Sequence, residues 1–167
     1  MGMIGNYFRT DDETIKKIKE GEISFFNCLY DEETDEELNE EAMLDIDKAW
    51  HMLHYLLAGV DEGPTDNPLS KVVLGGEIFD ECEMEYGAWL ISKEDVAEAC
   101  HALKNFSKQS LYEKFSIEDM IKKDIYPVQP EHGKEEMVEY ISHYFDDIVD
   151  FFNKAKEENE HIIFFIN

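Results

Sequence analysis

The segment LDIDKAWHMLHYLL, from Leu44 to Leu57, combines large apolar residues with aspartates and two histidines. A helix turns about 100° per residue. One apolar stripe of such a helix contains Ile46, Trp50, Leu53 and Leu57. Met52 and Leu56 extend the apolar surface around most of the circumference, a pattern typical of a central helix. The segment therefore predicts a buried helix over 46–58.

Three polar residues of this segment, Asp47, His51 and His54, fall on a neighbouring stripe. An unpaired buried polar group costs about 1–3 kcal/mol, so each of them needs a partner. If the stripe faces a cavity, the three are candidate catalytic residues, as a base with its orienting group, or candidate metal ligands. If it does not, Asp47 interacts with the helix dipole, and the histidines bond to backbone groups or lie at the surface.

We predict that the protein binds no metal and uses no other cofactor. One helix with two histidines and one aspartate supplies three ligands at best, and zinc sites normally have three or four converging ligands. The chain has no HExxH signature and no second cluster of ligand residues in sequence.

Apolar and aromatic segments at both ends of the chain predict strands at 3–8 and 162–166, with a third strand at 87–91. The longest helix is predicted at 134–158, where apolar residues recur every three or four positions. The last strand is apolar on both faces and is expected to be buried on both. We expect one α+β domain over residues 1–167, with a small sheet of about three strands that includes both terminal segments and is covered by several helices.

The charge balance is strongly acidic, because 40 Asp and Glu residues oppose 15 Lys and Arg residues and give a formal net charge of -25. Arg9 is the only arginine. We expect no binding to nucleic acid or to an anionic membrane, since both need clustered basic residues. A basic protein partner is favoured by the same charge. Solubility alone explains high negative charge as well, and it is the simpler explanation of the composition.

The acidic residues are densest in DEETDEELNEE, from Asp31 to Glu41, where eight of eleven residues are Asp or Glu. A like-charged block of this kind is typical of a solvated loop or a frayed helix start. The candidate binding residues within it are Asp31, Glu32, Glu33, Asp35, Glu36 and Glu37.

Three cysteines, Cys28, Cys82 and Cys100, are widely spaced and form no CxxC pair. This spacing argues against a zinc ribbon or a thioredoxin-like motif. An odd number of cysteines without a secretion signal predicts reduced thiols in the cytoplasm. Nothing in the sequence lowers the pKa of the Cys28 thiol, and the acidic run after it would raise that pKa, so a structural role is favoured over a nucleophilic one.

Several blocks of this chain resemble the YfbM-like family of uncharacterised bacterial proteins. The blocks are MGMIGNYFR, LDIDKAWHMLHYLLAG, NPLSKVVLGG, EYGAWLISKEDV and IYP. The resemblance spans nearly the whole chain and is most specific in DIDKAWHMLHYLL, although Tyr86-Gly87-Ala88 lacks a proline that the family often has there. It implies a bacterial, cytoplasmic α+β domain and supplies no activity. The family's signature positions correspond here to Asp45, Asp47, Lys48, Trp50, His51 and His54. Of these, Asp45, Lys48 and Trp50 are further candidate binding residues.

Three hypotheses for the function follow. The first is a protein-interaction domain without catalysis, an acidic inhibitor that binds a basic partner as toxin-neutralising immunity proteins do. The alternative is a small enzyme or ligand-binding protein with a pocket around Asp47, His51 and His54. The third is a structural accessory with no site. The surroundings of the two histidines discriminate between them, because a closed, packed environment argues against a pocket.

Overall fold

A computed structural model describes residues 2–167, which form one five-stranded antiparallel sheet with helices packed on both faces. The strands are β1 (Gly5–Thr10), β2 (Met43–Asp45), β3 (Glu77–Ile78), β4 (Ala88–Ile91) and β5 (His161–Ile166). The α-helices of the described residues are α1 (Asp12–Lys19), α2 (Phe26–Leu29), α3 (Trp50–Ala58), α4 (Lys93–Leu103), α5 (Lys108–Lys114), α6 (Ile117–Lys122) and α7 (Gly133–Glu157). The predicted α+β class is confirmed.

The strand order is β2-β1-β5-β4-β3, so the two terminal strands are neighbours at the centre of the sheet. Gly5 pairs with Ile166, and Thr10 pairs with His161. The prediction that both terminal segments join the sheet is confirmed. The predicted number of three strands is wrong, because the edge strands β2 and β3 contain only three and two residues. Strands this short show no readable alternation of polar and apolar residues.

Alternate residues of the central strands face two separate hydrophobic cores. Tyr7 and Phe164 point into the larger core with α3, α4 and α7. Phe8 and Phe165 point to the other face, where residues of α1 and α2 cover them. This arrangement explains why residues 162–166 of β5 are all apolar, since a strand covered on both faces has no side exposed to water.

Several predicted boundaries are corrected by the structure. The first strand was predicted at 3–8 but runs from Gly5 to Thr10, and the third begins at Ala88 instead of at 87. The backbone of Ile4 still pairs with Asn167, which continues the ladder beyond β1. The long helix predicted at 134–158 is present as α7, shifted by one residue at each end.

The segment Leu44–Leu57 is not helical throughout, so the helix predicted over 46–58 is shorter than expected. Its first residues belong to edge strand β2, and the Ile46 N–H donates to the Gly5 carbonyl at 2.9 Å. Asp47 then adopts a left-handed φ of 47° in a short 3₁₀ turn, which an α-helix does not tolerate. The α-helix begins only at Trp50.

The inward face predicted for this segment is confirmed. Six of its apolar side chains are at most 6% exposed: Ile46, Trp50, Met52, Leu53, Leu56 and Leu57. The helix ends at Gly59, whose φ of 78° lies in the left-handed region that favours glycine. A helix of nine residues is only marginally stable in isolation, so packing in the larger core stabilises it.

Candidate functional site

Asp47 lies in the turn before α3, where its carboxylate contacts a tyrosine of the long helix. The Tyr140 hydroxyl donates to Asp47 Oδ2 at 2.8 Å and accepts from the Lys48 N–H at 3.2 Å. Asp45 holds the same turn, because its Oδ1 accepts from the Asp47 N–H at 2.6 Å. Burial, reinforced by the nearby Asp47 carboxylate, raises the pKa of Tyr140. Its phenol is therefore neutral near neutral pH and serves as a hydrogen-bond donor.

His51 connects α3 to two loops through both ring nitrogens. Its Nδ1 accepts from the Tyr126 N–H at 2.9 Å, and Nε2 lies 3.0 Å from the Asp61 carbonyl oxygen. Because Nδ1 is an acceptor, the ring proton is on Nε2 and is donated to that carbonyl. Burial lowers the pKa of His51, so the ring is neutral near neutral pH. Both nitrogens are occupied by backbone groups, which is the structural role considered from the sequence.

His54 is fully buried one turn further along α3. Its Nδ1 accepts from the Leu74 N–H at 3.2 Å and so holds the chain just before Gly75 against the helix. Its Nε2 atom has no hydrogen-bond partner within the described residues. Burial, and to a lesser extent His51, lowers the pKa of His54 from 6.5 to about 4, and the nearby Gly63 backbone opposes this shift.

The structure does not bring the three candidate catalytic residues into one cavity. Asp47 lines a cleft of about 280 Å³, which we call the Tyr140 cleft. The other residues that line it are Lys48, Met52, Pro127, Gln129, His132, Glu136, Met137 and Tyr140. His51 lies at a separate cleft, and His54 has no exposed surface. Asp47, His51 and His54 therefore do not form a general base with an orienting partner.

The second cleft is built around Trp50, which is 6% exposed. Its indole N–H donates to the Met3 carbonyl at 3.0 Å, and its ring stacks on His51 at a centroid distance of 5.0 Å. Trp50, His51 and Met3 are shared by two adjoining depressions of about 580 and 450 Å³. We call their union the tryptophan groove. Its further lining residues include Glu62, Leu74, Ile78, Tyr86, Trp89, Asp124, Tyr126 and Ile166.

The acidic run lies at the other edge of the sheet. Residues 32–41 are exposed and lead into β2, whereas Ile78 of the tryptophan groove belongs to the opposite edge strand, β3. The run is folded into a tight turn, because Asp31 Oδ1 accepts from the backbone N–H groups of Glu33 and Thr34 at 2.9 and 3.0 Å. These bonds lower the pKa of Asp31. The candidate binding residues Glu32, Glu33, Asp35, Glu36 and Glu37 surround this turn.

The cysteines are free thiols, with Cys82 and Cys100 buried and Cys28 half-buried. Burial raises the pKa of Cys28 and Cys100, and raises that of Cys82 to about 12. The thiols are therefore protonated near neutral pH, which disfavours nucleophilic chemistry at any of the three.

Sequence reasoning missed the partners of Asp47 and His51. Tyr126 and Tyr140 lie 75 and 93 positions from the side chains that they contact. Trp89 was placed in a strand, but its position beside the groove of Trp50 was not foreseen. Only the pairing of β4 with β5 brings Trp89 opposite Phe164 and thus to the face that carries α3. A single sequence carries no signal for such contacts.

Together these features define an α+β domain with a sheet covered on both faces, in which His51 and His54 hold loops onto α3. A family model described as "Domain of unknown function (DUF1877)" matches residues 1–165. The chain belongs to this family, and the resemblance seen in the sequence is confirmed.

Two comparisons identify a relative in Escherichia coli. Protein YfbM of strain K12 is 29% identical over 130 residues, which cover 76% of this chain and 74% of YfbM. The crystal structure described as a protein of unknown function, YfbM from Escherichia coli, superposes with a TM-score of 0.75 and 24% identity, over 98% of this chain and 99% of that one. The structural likeness shows the fold alone. No helix within residues 2–167 is long and apolar enough to cross a membrane.

We expect the purified protein to contain no stoichiometric transition metal. Within residues 2–167 no group of three or more His, Cys, Asp and Glu side chains is arranged to hold a metal ion. A metal on His51 would also displace the Tyr126 N–H or the Asp61 carbonyl. Elemental analysis of the wild type and of His51→Ala checks this. Near one equivalent of zinc, iron or manganese that is lost in the variant would contradict it.

Proposed function

We propose that this protein is an interaction domain without catalysis that binds a basic protein partner through its acidic surface, in the manner of an immunity-type inhibitor. The observation that carries the proposal is the net charge of -25, to which the exposed run at residues 32–41 contributes seven carboxylates and no basic residue. The single arginine does not offset it at the surface, because Arg9 is largely buried and bonded to Glu160 at 2.6 Å.

The environment of the signature residues supports a role without catalysis. His51 and the Nδ1 atom of His54 are occupied by backbone groups. A general base must reach its substrate proton directly or through one water. His54 has no exposed surface from which to do so.

We expect the affinity for the partner to fall steeply as salt rises from about 50 to about 500 mM, because exposed charges are screened beyond about 8 Å at physiological ionic strength. Partners captured from the native host, identified and then purified, provide the ligand for the titration. The test variant carries Gln at Glu33, Glu36 and Glu37. Its matched control carries Gln at three exposed positions outside the run, Glu98, Glu139 and Glu157.

Both variants lose three negative charges, so a general effect of net charge weakens them equally. The proposal expects the run variant to bind more weakly than the control and with a shallower salt dependence. An affinity that is flat across the salt range would exclude an acidic interface. Equal losses of affinity in the two variants would show that binding depends on the overall negative charge of the protein and not on the acidic run.

The alternative function is a ligand pocket, which we place at the Tyr140 cleft around Asp47. The observation that favours it is the convergence of Asp47, Lys48 and Tyr140 on one cleft of about 280 Å³, with His132 and Glu136 at its rim. Such mixtures of charged and phenolic groups orient small polar ligands. Native mass spectrometry of protein purified from its host would support this alternative by showing a bound small molecule that is lost in Asp47→Asn.

A further inference from the structure

The tryptophan groove contains both tryptophans of the chain, Trp50 and Trp89. Tyr86 at its rim is 47% exposed, and Ile78 is 68% exposed. Exposed large apolar side chains beside a concave aromatic surface are unusual on a water-facing surface, and they mark interaction sites. The stacked pair of Trp50 and His51 forms the floor at the junction of the two depressions.

The charge of the groove is entirely negative among its described lining residues. Glu62 lines one depression and Asp124 lines the other, and both are exposed. None of the lining residues is Lys or Arg. Because burial lowers the pKa of His51, its ring adds no positive charge near neutral pH. The groove therefore presents aromatic surface and carboxylates to an occupant.

We propose that the tryptophan groove binds an arginine or lysine side chain of the basic partner. This inference rests on the proposed function and names the place where one cation of the partner inserts. A cation over the face of Trp or Tyr is attracted by the ring quadrupole, most strongly where it is partly desolvated. A carboxylate at the rim adds a charge-assisted hydrogen bond. The aromatic surface also covers the aliphatic part of a Lys or Arg side chain.

The neighbouring strand indicates how the partner presents this side chain. Ile78 belongs to β3, which ends the sheet, and within residues 2–167 no further strand pairs with its outer edge. An exposed edge accepts an extended segment through its backbone groups. We infer that the cation is carried by an extended segment laid beside β3, where alternate side chains point toward Trp89 and Tyr86.

The experiment uses the whole protein labelled with ¹⁵N and a peptide of alternating arginine and valine, acetylated and amidated at its ends. The two tryptophans give two indole N–H signals, and both report on the groove. The matched peptide carries citrulline, which has the shape of arginine without its charge. We expect both indole signals to shift saturably with the arginine peptide, and an affinity at least about fivefold weaker for the citrulline peptide.

Two pairs of variants locate the site. Tyr86→Ala and Glu62→Gln should each weaken binding of the arginine peptide by roughly threefold or more. Their controls are Tyr112→Ala and Glu98→Gln, which change an exposed tyrosine and an exposed glutamate that line neither depression. The controls should bind as the wild type does. All four positions are exposed, so each variant should remain folded, which its melting curve checks.

Three results would overturn the groove proposal: indole signals that do not move, equal affinities for the arginine and citrulline peptides, or equal losses in variants and controls. If the arginine peptide shifts only backbone signals of residues 31–41, and less so at high salt, the groove proposal fails while the acidic interaction surface stands. If the natural partner binds independently of salt and of the acidic run, the proposed function fails, whatever the peptide does at the groove.

Discussion

Trp50→Ala is expected to lower the free energy of unfolding by about 3–5 kcal/mol, as buried large-to-small substitutions do. The indole is 6% exposed and belongs to the larger core. Its N–H donates to the Met3 carbonyl, and its ring stacks on His51. The substitution therefore opens a cavity and also releases the segment before β1.

Chemical denaturation measures the loss, and a thermal melt should show a decrease of roughly 6–20 °C for a domain of this length. Trp50→Phe provides a graded control, because it keeps most of the packing and removes the indole N–H. Ile121→Ala, at a 53% exposed position, should change stability by less than about 0.5 kcal/mol. A melting temperature of Trp50→Ala close to that of the parent would show that this side chain does not anchor the core.

The second large effect is a loss of stability on acidification that depends on His54. The folded protein resists protonation of this buried ring, whose pKa is lowered from 6.5 to about 4. The unfolded chain takes up the proton at the ordinary pKa. The neutral ring therefore contributes fully to the free energy of unfolding above about pH 6.5. About 3 kcal/mol of this contribution is lost as the pH falls toward about 4.

His54→Gln is the reference for this effect, because glutamine can accept from the Leu74 N–H without titrating. At neutral pH we expect the variant to be less stable than the wild type by about 1–3 kcal/mol, since it disturbs a buried hydrogen bond and the packing around it. Between pH 6.5 and about 4 the difference should shrink or reverse. Denaturation curves at several pH values measure the difference in unfolding free energy between the wild type and the variant. A difference that stays constant with pH would argue against a neutral buried imidazole.

Local chemistry in the sequence predicted the class of the fold and its most apolar elements. Apolar residues recur every three or four positions in α7 and fill positions 162–166 of β5 because these side chains are buried. Burial can be inferred from such patterns of hydrophobic residues in the sequence. The inward face of α3 was predicted for the same reason, and the family resemblance was visible in the same segment. These properties depend on residues close together in the chain.

The short edge strands, the left-handed turn at Asp47 and the surroundings of the histidines were decided by tertiary structure. β2 forms because β1 offers a free edge beside it, and the bond from Ile46 to Gly5 ties the chain to the sheet just before Asp47. These contacts join residues about 40 positions apart and leave no local pattern, although Asp45 also holds the turn at Asp47 locally. The sequence placed Asp47, His51 and His54 on one stripe, and only the loops that fold over α3 determine that each serves a different contact. The tryptophan groove arises in the same way, because Trp50 and Trp89 line one groove only after the sheet has formed.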